Sequence, residues 1–177
     1  PIKTLIARIL ESDIQAAHLE RRVMAENKPK VTTIGTFMMD LVAYTPRRPN
    51  NGETIRGEGF AMALGGKGFN QAIAAGRAGV DSAMLGNLGK DNFGDDFMRA
   101  FKEEGVQSSD IELHADLGTG VAHIAVQTSD GDNCIIITPL SNDRTTPDYI
   151  ERHKQTIIES DILLLLSLIH ISEPTRR

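Results

Sequence analysis

The sequence predicts an α/β fold built on a mainly parallel sheet, with β hairpins as local additions. Three observations carry this expectation. Between residues 31 and 166, apolar runs of strand length alternate with segments of helical periodicity, the pattern of helices packed on a parallel sheet. A glycine-rich turn, Gly65-Gly66-Lys67-Gly68, joins an apolar run to a helical pattern, as a strand-to-helix connection does. Asp130-Gly131 lies between two β-type runs, a strong hairpin signal.

Composition bounds the function. The chain has 177 residues, 40% hydrophobic and 24% charged, an ordinary globular balance with enough length for a core. Net charge is −5, and no basic cluster is long enough to form a nucleic-acid face. Cys134 is the only cysteine, so no internal disulfide can form, which fits a reducing compartment. No signal peptide and no apolar run of transmembrane length are visible, so the expected location is the cytoplasm, with no membrane or nucleic-acid partner. The five histidines (His18, His114, His123, His153 and His170) show no short ligand spacing, and no metal site is expected on them. The chain begins at Pro1 without a methionine, which suggests a processed or cut N-terminus.

In order along the chain, Leu5, Ile6, Ile9, Leu10 and Ile14 recur at roughly helical spacing. Residues 1–30 read as one or two helices and a linker closing at Lys28-Pro29-Lys30, packed on the main domain or a partner; the alternative is the remnant of a DNA-binding module. Residues 31–37 read as a buried strand containing Gly35. Asp40 then stands as an acid in an otherwise apolar stretch, which costs free energy if it is buried without partners; locally it also reads as a turn or capping aspartate. Pro46, Pro49, Asn50, Asn51 and Gly52 mark a loop, and residues 53–64 read as an edge ribbon.

After the glycine turn, a helix over residues 71–78 carries Ala72, Ala74, Ala75, Gly76 and Ala78, small enough to lie close to a sheet, and ends at Gly79. Residues 82–88 read as a strand and 89–92 as a loop in which Asp91 or Asn92 caps the next helix. Phe93, Phe97, Met98 and Phe101 share one face of that helix, which ends at Gly105. Residues 121–128 and 133–138 form the hairpin. Residues 149–158 read as one helix and 161–166 as a fully buried strand.

The glycine turn carries the chemistry. Glycine accepts positive φ and lets a ligand approach the backbone. A helix starting just after it offers unpaired N–H groups and a partial positive charge. The expectation is a polar or anionic small molecule, with Lys67 and Asn70 as side-chain donors; the alternative is a turn without a ligand. It is not a P-loop: six positions before Lys67 stands Ala61, and Gly68 follows where serine or threonine is required.

Taken together, Gly35-Thr36-Phe37-Met38-Met39-Asp40, then Pro49-Asn50-Asn51-Gly52-Glu53-Thr54, then Gly65-Gly66-Lys67-Gly68-Phe69-Asn70-Gln71-Ala72 resemble the N-terminal half of the ribokinases, within the PfkB carbohydrate kinase family. Gly86-Asn87-Leu88-Gly89-Lys90-Asp91-Asn92-Phe93-Gly94 and Thr119-Gly120-Val121-Ala122 match later blocks of that family. Several motifs in order are far more specific than any one alone. The resemblance implies a ribokinase-like α/β sandwich with a small β lid over the sugar, truncated here, with residues 53–63 and part of 121–137 supplying lid strands. It implies a substrate site of Met38, Asp40, Gly65, Gly66, Lys67, Gly68 and Asn70, in which Asp40 accepts from sugar hydroxyls. It implies transfer of the γ-phosphoryl group of ATP to a primary hydroxyl, with Mg2+ on the phosphates and a monovalent cation as a further requirement. Dimerisation through the lid ribbon is a further expectation.

Three departures qualify the resemblance. Met38 stands where many bacterial ribokinases carry asparagine, and methionine cannot donate to a hydroxyl, so ribose and 2-deoxyribose both remain open. Pro139-Leu140-Ser141-Asn142-Asp143 replaces an Ala-Gly-Ala-Asn-like turn. Residues 167–177 resemble no continuation of the family and read as a non-native tail. The family's ATP site, its Asn-Glu motif and its Gly-Ala-Gly-Asp segment with the catalytic base follow later, so no catalytic residue is assigned here. The organisation expected is therefore residues 1–30 as an extension, 31–166 as the N-terminal part of the domain, and 167–177 as the tail. The chain alone is expected to be inactive, with doubtful stability where the sheet is left open. A non-catalytic sugar-binding regulator and a nucleoside kinase of the same family are the alternatives.

Overall fold

The computed structural model of the chain describes residues 28–165. Of the extension read over residues 1–30, residues 1–27 lie outside the described residues, as does the tail read over 167–177, while Lys30 already belongs to the first strand. Among the described residues, eight strands form two four-stranded sheets. The first sheet contains β1 (Lys30–Ile34), β4 (Asp81–Gly89), β5 (Ile111–His114) and β8 (Ile162–Leu165) in the order β5-β4-β1-β8, every pair parallel. The second contains β2 (Met38–Thr45), β3 (Gly59–Gly65), β6 (Val121–Gln127) and β7 (Asn133–Thr138) in the order β3-β2-β6-β7. Here β2 and β6 are parallel, and the β2–β3 and β6–β7 pairs are antiparallel.

Alternation along β4 explains the layers. Met84 and Leu88 point to one side, into a core with Phe69 and Ile73 of α1 (Lys67–Arg77) and Phe97 and Phe101 of α2 (Asn92–Glu103). Leu85 points to the other side, with Ile34, Tyr149 and Ile150 of α3 (Pro147–Arg152) and Ile157 of α4 (Lys154–Ile158). Helices thus cover both faces of the parallel sheet, which is why its central strands are buried on both sides, with Thr32, Thr33, Ser82 and Asn87 buried among the apolar side chains. Phe37, Phe69, Phe97 and Phe101 pack edge to face with centroids 4.9–5.9 Å apart, each such pair adding about 0.5–1.5 kcal/mol beyond area burial. Tyr149 is buried, and its hydroxyl accepts from Gly86 N at 2.7 Å and lies 2.6 Å from the Asp110 carbonyl.

Several local expectations are corrected. The first strand stops at Ile34, because the chain turns at Gly35 to enter the second sheet as β2, a strand the sequence reading left unassigned. Residues 53–58 are loop, and the edge ribbon begins at Gly59. Helix α1 starts at Lys67 rather than residue 71, so the glycine turn runs into its first turn. The helix read over 149–158 breaks at His153, where φ and ψ of −106° and 16° end α3. Strand β8 is not fully buried. It lies at the sheet edge, with Ile162 51% and Leu165 39% exposed, and Leu163 packs on the second core. Among the described residues no helix is long and apolar enough to cross a membrane.

Candidate functional site

The site forms where the chain crosses between the two sheets. Strand β2 pairs with β3 so that Met38 faces Gly65 and Asp40 faces Ala63. The Asp40 carboxylate leans over Gly65. A Cβ there would collide with Oδ2 and lie 2.8 Å from Asp40 Cγ, so the missing side chain is what gives the carboxylate its place. Asp40 is half-buried, and among the described residues no donor hydrogen-bonds its carboxylate. Burial raises its pKa above the ordinary carboxylate value, since the charged form loses solvation.

The next two glycines bring the helix in. Gly66 has φ 96°, a left-handed conformation that favours glycine. A Cβ on it would meet the Thr36 carbonyl, Met38 N at 2.9 Å and Phe37 Cα at 3.0 Å. At Gly68 a Cβ would lie 2.7 Å from Gly35 Cα. The start of α1 therefore sits directly against residues 35–38. No side chain caps this helix. Phe69 N donates to Thr36 O at 3.4 Å and Asn70 N to Gly66 O at 3.0 Å, while the N–H groups of Lys67 and Gly68 have no partner among the described residues. The Lys67 and Asn70 side chains are exposed.

The fold thus gathers Asp40, Gly65, Gly66, Lys67, Gly68 and Asn70 near one helix N-terminus, with the Asp40 carboxylate lying against Gly65 and without a hydrogen-bond partner among the described residues. Met38 shares the β2 face of Asp40, two residues away, but is buried, 8% exposed. The arrangement offers acceptor and donors together, which suits a neutral polyhydroxylated molecule better than a pure anion. On the opposite face of β2 and β3, a groove of about 230 Å3 runs between Met39, Met62 and Leu64 and the Asp96, Arg99 and Glu103 side of α2; it does not include Asp40.

The sequence expectation of a cap at Asp91 or Asn92 holds at Asp91, but the long-range contacts that frame the site were not expected. Asp91 caps α2 by accepting from Gly94 N at 2.8 Å, and it also accepts from Thr119 N and Thr119 Oγ1, both at 2.8 Å, at the entry to β6. Asn142 reaches back 105 residues to the backbone of Phe37. A capping aspartate is visible locally, but no periodicity or spacing marks a contact of that range.

Comparison with known proteins places these features in a family. The profile of the pfkB family carbohydrate kinases matches residues 28–174. The chain is 42% identical over 137 residues to the ribokinase of Lactococcus lactis, covering 77% of this chain and 45% of that protein. It is 32% identical over 135 residues to the deoxyribokinase of Salmonella typhi, covering 76% and 44%. The structure of the Arabidopsis thaliana ribokinase complexed with ribose and ATP superposes with a TM-score of 0.67 at 28% identity, over 78% of this chain and 45% of that one. The chain spans less than half the length of these relatives. The parallel sheet between two helical layers, the four-stranded lid and the match over most of the chain agree: it belongs to the pfkB family of carbohydrate kinases.

Proposed function

We propose that residues 31–166 form the sugar-binding part of an ATP-dependent kinase that phosphorylates the primary hydroxyl of a ribose-like sugar, ribose or 2-deoxyribose. The observation that carries this reading is the unpaired, half-buried carboxylate of Asp40 beside an uncapped helix N-terminus. An ionised carboxylate only accepts, and its two oxygens can take two vicinal hydroxyls. Partial burial strengthens those hydrogen bonds. The N–H groups of Lys67 and Gly68, with the Lys67 and Asn70 side chains, donate to the remaining sugar oxygens. Asp40 holds and orients the sugar; it is not the base. Met38 packs beside it and adds no donor, which leaves both sugars open.

ATP supplies the transferred phosphoryl group, and Mg2+ supplies counter-charge on it. Among the described residues no three His, Cys, Asp or Glu side chains are grouped to hold a metal, so none of them is given a role towards Mg2+ or a monovalent cation. The described residues contribute binding and orientation, and the chain alone binds sugar without transferring phosphate. The protein works in the cytoplasm as a homodimer joined through the lid.

The test is calorimetric titration of D-ribose, 2-deoxy-D-ribose and adenosine into the folded chain and its Asp40→Asn variant. One-to-one binding of a pentose, lost in the variant, is the expected result. Preference for adenosine moves the reading to a nucleoside kinase. A folded chain that ignores all three abandons it, and ATP-dependent phosphorylation of ribose by the chain alone overturns the division of labour.

A further inference from the structure

We propose that Asn142 is the positioning residue that fixes Asp40 over the α1 N-terminus, by hydrogen-bonding both the N–H and the C=O of Phe37 with its side-chain amide. The inference rests on the reading of Asp40 as the sugar acceptor.

Asn142 is 5% exposed. Its Oδ1 accepts from Phe37 N at 2.9 Å, and its Nδ2 donates to Phe37 O at 2.8 Å and Pro139 O at 2.9 Å. An amide side chain carries the same donor and acceptor pair as a peptide group, so Asn142 acts as a detached rung of sheet. Among the described residues it is the only side chain hydrogen-bonded to the Phe37 backbone. The Phe37 ring is held from the other side, fully buried against Phe97 and Phe101. Phe37 is therefore gripped at ring and backbone together.

All four passages between core and lid meet at this point. Phe37 leads into β2. Gly66, leaving β3, packs on Phe37 Cα and Met38 N. Gly120, leading into β6, has no room for a Cβ, which would collide with Asn142 Nδ2 and lie 2.7 Å from Phe37 O. Gly120 O also accepts from Met39 N at 2.8 Å. Pro139, leaving β7, is bound by Asn142 itself. Asp40 lies three residues beyond Phe37 on an extended strand, about 10 Å away. A swing of ~10° at the pivot moves the carboxylate by nearly 2 Å, far more than a hydrogen bond tolerates.

The turn that presents Asn142 is built for the purpose. It is a 3-10 turn over Leu140–Arg144, entered through Leu140 at φ 50°, a left-handed conformation that leucine adopts only when its surroundings hold it there. Ser141 Oγ donates to Asn87 O at 3.1 Å, Ser141 N to Gly118 O at 3.0 Å, and Asn87 Nδ2 to Thr145 Oγ1 at 2.9 Å. The turn is thus fastened to β4 in the core and passes that rigidity to the lid.

The test compares the wild-type chain with Asn142→Ala and with Asn142→Asp, which is isosteric but has no donors. Ile157→Ala, in the second core and away from the lid, controls for general destabilisation. Two readouts are taken on folded protein: the titration of the Asp40 carboxyl by carbon NMR, and the affinity for D-ribose. Asn142→Ala should move the Asp40 titration midpoint down towards the ordinary carboxylate range as the group gains solvent, whereas the added charge of Asn142→Asp opposes that shift, and both variants should weaken ribose binding about tenfold or more. Ile157→Ala should do neither. An unchanged Asp40 titration in Asn142→Ala overturns the proposal, and so does an equal shift in Ile157→Ala. A wild-type chain that binds no ribose counts against the sugar reading alone, and the carboxyl titration still decides the positioning role.

Discussion

At Asp40, burial raises the carboxyl pKa, and among the described residues no donor offsets the lost solvation. The consequences for folding and for binding have opposite signs. A carboxyl whose folded pKa lies above its unfolded value favours the fold while protonated, and that contribution is lost as pH rises through the folded pKa. At neutral pH the ionised group therefore costs the fold stability. Asp40→Asn should raise the melting temperature by about 1–3 °C while abolishing pentose binding, and thermal melts beside calorimetry check both. If Asp40 accepts the sugar hydroxyls as proposed, binding needs the ionised form, and affinity for D-ribose should fall as the solution is acidified through the Asp40 pKa, beginning at a higher pH than for an ordinary carboxylate. A flat affinity profile down to about pH 4 contradicts this. Gly65 gives a second handle at the same scale. Its Cβ has no space beside Asp40, so Gly65→Ala should cost about 1–3 kcal/mol in urea unfolding and weaken binding by displacing the carboxylate.

Helix α2 and the entry to β6 depend on one another through Asp91. Burial pushes the Asp91 pKa up, but donors from Thr119 N, Gly94 N, Thr119 Oγ1 and Phe93 N outweigh it and hold the pKa below the ordinary value. The fold therefore gains stability from Asp91 above its unfolded pKa and loses that gain as pH falls through the folded one. Asp91→Ala should destabilise the chain by about 1–2 kcal/mol at pH 7 and by progressively less below about pH 4, as denaturant titrations at several pH values would show. An equal loss at pH 7 and pH 3 would count against it. This cap was legible in the sequence, because a helix cap is a local device. So were the hairpin at Asp130-Gly131 and the phenylalanine face of α2, where Phe97 and Phe101 are buried. What was not legible is non-local. Strand β2 continues the apolar run of β1 with only Gly35-Thr36-Phe37 between them, and periodicity cannot see that the chain changes sheets there. The break at His153 follows from contacts to Asp110 and Glu112 about 40 residues earlier. The four residues of β5 are too few for a periodic signal. In the site, the glycine turn announced itself, whereas Asn142 did not.

Over the whole molecule, the two sheets differ in how they are covered. The parallel sheet has helices on both faces, whereas much of the lid is exposed and α2 borders it only near Met39, Met62 and Leu64. The register places Leu41 opposite Met62 and His123, His123 opposite Ile136, and Ala43 opposite Phe60, so these side chains share the face turned away from Asp40. On that face Phe60 is 66%, Met62 53% and Ile136 67% exposed. A contiguous apolar surface flanked by two edge strands is costly to leave in water and prone to pairing. A second copy of the lid is the occupant we expect, because a self-complementary two-fold contact covers both apolar faces at once. Scattering or analytical ultracentrifugation at micromolar concentration should show a dimer, and Phe60→Lys with Ile136→Lys should shift it to monomer by placing like charges in a dry interface. Because neither residue touches the Asp40 site, the double variant should keep its fold, and any loss of ribose affinity then measures how far dimerisation steadies the lid. A wild-type chain that stays monomeric at ~100 μM, far above the dissociation constants of standard-size interfaces, would remove the lid as an assembly surface.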